Sequence, residues 1–161
     1  MQRFWLLLIP LIMVSTGACA TGKTESKNYM ATSTKKDSFE SVRDAVKLAI
    51  TDRGLVINNV SHIGNMLART GKDLGAKKEI YKHAEALEFC SASVSRATME
   101  ADPHNIVFCP YVIAVYEITT EPGTIYISYR RPEIVGNEGS QQALKAVEKL
   151  LADIVRDTLE W

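Results

Sequence analysis

The sequence predicts an α+β domain: two layers, with helices packed on one face of a mixed β-sheet. Three observations predict it. Apolar residues recur at helical spacing near both ends of the chain, from Phe39 to Ile50 and from Leu144 to Leu159. Between them lies the longest apolar run outside the leader, Ile106 to Ile118. A Pro122-Gly123 corner then follows, with the alternating segment Ile125 to Arg130 behind it, and this reads as a hairpin. Helices that cover a sheet on one side are the natural way to bury such faces.

The elements follow in order. Residues 1–20 carry Arg3, an apolar run from Phe4 to Val14 that is too short to span a bilayer, and small residues up to Ala20. This is the layout of a signal peptide, so those residues stay out of the fold argument. Ala18-Cys19-Ala20 suits ordinary cleavage. Thr16-Gly17-Ala18-Cys19 also suits a lipobox, with Cys19 as the lipidated residue, and more than one acyl chain there would anchor stably. The expected location is the periplasm or, as a lipoprotein, the membrane surface. Residues 21–34 read as a polar linker, and 35–161 as a single domain. Thr-rich Ala31 to Lys36 is a weak first strand.

Asp37 or Ser38 caps a first helix, which Arg53-Gly54 closes. Leu55 to Val60 is a strand, and Ile63 to Gly75 holds a short helix at most. Ile80 to Cys90 alternates as a half-buried strand. Ser91 or Ser93 caps a helix that Asp102-Pro103 ends. Ile106 to Ile118 reads as one core strand, interrupted by Pro110. Ser140 caps the last helix, whose stripe runs from Leu144 to Leu159.

The order Cys90-Ser91-Ala92, Ala101-Asp102-Pro103, Cys109-Pro110 within the run Ile106 to Tyr116, and Ile127-Ser128-Tyr129 with Pro132 resembles the domain of unknown function 302 family (DUF302). The resemblance covers about residues 35–160. It implies a TATA-binding-protein-like two-layer fold and a homodimer, and it implies no known activity. Two departures stand out. The family's usual Cys-Asn-Pro is Cys90-Ser91-Ala92 here, and its Leu-Pro-Cys is Cys109-Pro110-Tyr111, so no family role carries over to the second cysteine.

Charge and motifs narrow the function. Lys+Arg 19 against Asp+Glu 19 leaves no basic surplus, which argues against a nucleic-acid partner. No glycine-rich phosphate loop, nucleophile elbow or zinc-protease motif is present, so no catalytic residue, metal or cofactor is expected. His62, His83, His104, Cys90 and Cys109 show no paired ligand spacing. His62 reads as a cap or a solvated side chain. The candidate ligand-binding residues are Cys90, Arg96, Cys109, Tyr129 and Arg130. An arginine beside a tyrosine can hold a carboxylate or phosphate, and Arg130 and Arg131 must face opposite ways on a strand.

An oxidising compartment favours a Cys90–Cys109 disulfide. A helical crossover to a parallel strand would instead set the two at opposite ends of the sheet, as small apolar fillers. The expected function is a non-enzymatic envelope protein that binds a small anionic ligand or an envelope protein, with membrane contact only through a lipid on Cys19. The alternative is a thiol- or haem-linked redox protein that acts through Cys90 and Cys109.

Overall fold

A computed structural model describes residues 29–161. The leader, Cys19 and the first part of the linker lie outside the described residues. Residues 30–34, which the sequence assigns to the linker, are strand: β1 (Met30–Lys36) pairs along its whole length with the hairpin strand.

Helix α1 (Phe39–Thr51) starts where the Ser38 hydroxyl accepts the Ser41 N–H. Its buried stripe of Phe39, Val42, Val46, Ala49 and Ile50 is the one that the spacing predicts. β2 (Val56–Ser61) carries one extra residue, Asn58, against its neighbour. Helix α2 (Ile63–Asp73) is longer than expected yet has no fully buried residue. It lies close against β3 (Tyr81–Cys90), where a Cβ on Gly64 would sit 2.9 Å from the Ala84 backbone nitrogen.

Helix α3 (Ala92–Ala101) is capped by Ser91 and leads into a 3-10 turn, Pro103–Phe108. β4 (Tyr111–Ile118) and β5 (Thr124–Arg130) form the hairpin. Gly123 at its corner takes φ +74°, and the Thr124 N–H donates to the Glu121 carbonyl, as a type II turn requires. Helix α4 (Glu138–Glu160) is capped by Asn137, three residues before the expected Ser140.

Two expectations need correction. The run Ile106 to Ile118 is not one strand. Ile106 to Phe108 belong to the 3-10 turn, with Ile106 and Val107 exposed, and β4 begins only after the cis Cys109–Pro110 bond. The sheet is also not mixed. Its five strands lie in the order β1-β5-β4-β3-β2, and every pairing is antiparallel.

The core lies between one sheet face (Leu87, Phe89, Ile113, Val115, Ile125 and Ile127) and the apolar stripes of α1 and α4. α3 packs on α4. The other face of β4 and β5 carries no fully buried apolar side chain. It holds Tyr116 stacked on Tyr126 at 5.1 Å, with Tyr81 edge-on to Tyr116.

Candidate functional site

The antiparallel pairing of β3 with β4 positions the site. Phe89 pairs with Tyr111, so the residues just beyond them, Cys90 and Cys109, meet at one end of the sheet. Their sulfurs lie 3.7 Å apart, and both are free thiols. A parallel crossover would have separated them, so the geometric objection to their meeting does not hold.

Around the thiols stand polar groups that the sequence did not single out. The Ser95 hydroxyl lies 3.2 Å from the Cys109 sulfur and 3.1 Å from the Tyr111 hydroxyl. The bulged Asn58 places its side chain against Cys90. Burial pushes the Cys90 thiol up, and the adjoining Cys109 adds to this. Burial also raises the Tyr111 phenol.

Beside this pair runs a groove of about 980 Å³. Val107, Phe108 and Pro110 form one wall, and the Pro132–Ile134 loop and α4 form the other. Arg130 and Arg131 line it. Arg131 lies one residue past the end of β5, and the two differ in their partners. Arg131 turns to Glu148 on α4, at 2.8 Å, and its backbone N–H holds the Tyr29 carbonyl at the rim. Arg130 is exposed and makes no ion pair among the described residues.

The other sequence candidates do not join the site. Arg96 is exposed on α3 and pairs with Glu100 at 2.6 Å. Tyr129 is buried in the core, its phenol pushed up first by burial and then by Glu148. His62 stands at the N-cap of α2 without a side-chain cap bond, and its exposed ring brings Nδ1 to 3.2 Å from the Glu85 carboxylate. Among the described residues, no three His, Cys, Asp or Glu side chains converge as a metal site would need.

The family of domains of unknown function DUF302 matches residues 30–158. The chain belongs to the DUF302 family. A solved DUF302 structure, described as an uncharacterized conserved protein from Bacillus stearothermophilus, superposes with a TM-score of 0.67 at 15% identity. The match covers 81% of this chain and 98% of that one. At that identity the likeness speaks for the fold alone. No curated protein matches the chain. The DUF302 match begins at β1 rather than at residue 35, in agreement with the pairing of Met30 with Arg130.

Proposed function

We propose that this DUF302 chain is a non-enzymatic binding domain of the cell envelope, and that its groove takes a small anionic ligand with an apolar body. The observation that carries this is the groove's make-up: apolar walls from Val107, Phe108, Pro110 and Ile134, with Arg130, which makes no ion pair among the described residues, at the lining. Ligand sites combine apolar walls with a few placed polar groups, and an arginine free of carboxylates is matched to a carboxylate or phosphate. The Arg131–Glu148 pair is already neutralised, which leaves Arg130 as the recognising cation, with Glu133 as the other charged lining residue that makes no ion pair among the described residues.

A thermal-shift series tests the reading. It compares straight-chain carboxylates of increasing length with the corresponding alcohols. At a hundredfold excess over Kd, a fitting carboxylate stabilises by about 2.7 kcal/mol, a Tm rise on the order of 10 °C. Arg130→Ala should abolish the preference for the acid over the alcohol. Equal shifts from both, or none from either, would overturn it.

The envelope location rests on the leader pattern of residues 1–20. The mass of the processed N-terminus distinguishes a lipidated Cys19 from cleavage after Ala20. A homodimer is part of the same reading, on the family resemblance, and native mass measurement of the soluble part checks it.

A further inference from the structure

We propose that Cys90 and Cys109 form a thiol–disulfide exchange centre, which cycles between two thiols and one intramolecular disulfide at the expense of a disulfide-bearing reactant. The proposal goes beyond the ligand-binding reading and does not rest on it.

Three observations support it. The sulfurs are in van der Waals contact, 3.7 Å apart, so they reach bonding distance by closing a gap of under about 2 Å. The β3–β4 ladder, which pairs up to Phe89↔Tyr111, brings Cys90 at the end of β3 beside the short link before β4 that carries Cys109. The surroundings are also wrong for two inert fillers. Cys109 rests against the core, yet its sulfur meets the Ser95 hydroxyl, and both cysteines stay half-exposed, within reach of a solution disulfide.

The chemistry balances as follows. Cys109 gives its proton to solvent, and the Ser95 O–H is placed to donate to the resulting thiolate. The thiolate attacks one sulfur of the reactant disulfide. The S–S bond of the reactant breaks, a mixed disulfide forms on Cys109, and the first leaving thiolate takes up a proton. Cys90 then loses its proton and attacks the Cys109 sulfur, which closes Cys90–Cys109 and releases the second half of the reactant as a thiol. The reactant gains two electrons and two protons, and the pair loses the same. The raised Cys90 thiol suits the second role, because it stays protonated until the mixed disulfide brings a leaving group within its reach.

The test uses the full wild-type chain, equilibrated across a series of reduced and oxidised glutathione mixtures, trapped with an alkylating reagent and digested. The expected result is reversible loss of alkyl label from the Cys90 and Cys109 peptides together, with a single linked species in their place. Cys90→Ser should halt the reaction at a glutathione adduct on Cys109. The proposal is overturned if both residues stay labelled across the whole series, or if either one pairs with Cys19 instead. It also fails if wild-type chain stops at a stable glutathione adduct. The wild-type arm is decisive by itself, so a misfolded variant would not rescue or sink the idea.

Discussion

At the scale of single residues, Glu117 shows how a buried charge is held. Its side chain is 4% exposed, yet no core strand would bury a carboxylate unaided. The Gly123 N–H donates to it at 2.8 Å across the hairpin corner, and Lys82 approaches at 3.5 Å. Those contacts, the Gly123 bond foremost, hold the carboxyl below the ordinary glutamate value of 4.5. A depressed folded pKa contributes stability that is present above the ordinary value and is lost as pH falls through the folded one. Resistance to urea should therefore weaken on acidification below about pH 4.5, and Glu117→Gln should flatten that part of the profile. At neutral pH the same substitution should cost about 1–1.5 kcal/mol, because it trades a charge-assisted bond for a neutral one. An unchanged acid limb in the variant would refute this. The role of Glu117 was not legible in the sequence, since its partner is a backbone N–H. Cys90 and Cys109 were legible as candidates, but the sequence could not say that they touch.

At the scale of elements, the propensities of Ile106, Val107 and Phe108 mislead. All three favour strands, and they run into a genuine strand, so reading them as part of it was natural. Local capping overrides the propensity. The Asp102 side chain accepts the His104 N–H, and Pro103 takes the first position of the turn, where its missing N–H costs nothing. The buried Asn105 then pins the turn, donating to the Thr98 carbonyl and lying 3.0 Å from the Ser140 hydroxyl. That second contact explains why Ser140 is not the cap of α4: its own hydroxyl is engaged across the interface, and Asn137 supplies the capping oxygen. Asn105→Ala removes both contacts and leaves the Thr98 carbonyl with the Asp102 N–H alone. We expect a loss of about 2–3 kcal/mol in chemical denaturation, with the wall of the groove loosened. A cost within about 0.5 kcal/mol, the range of ordinary surface changes, would mean that the turn is held by other means.

At the scale of the whole molecule, the element order was legible and the strand directions were not. Helices that separate strands in sequence usually carry the chain over to a parallel neighbour. Here the connection of α3 and the 3-10 turn returns the chain to the end that it left, so β4 runs back along β3. α1 instead joins the two edge strands, β1 and β2, on opposite sides of the sheet. The centre, β4 with β3 and β5, therefore collects the fully buried Leu87, Ile113, Val115 and Ile127, while the β2 edge collects little. α2 hangs on that edge with no fully buried residue, held to β3 by the close approach of Gly64. Local opening follows buried apolar contact, so α2 should unfold well before the rest. Amide hydrogens of residues 63–73 should exchange on the order of a hundredfold faster than those of Ile113, Val115 and Ile127, which should open only with the whole domain. Native-state exchange read by mass spectrometry measures both, and matching rates in the two regions would show that α2 belongs to the cooperative core after all.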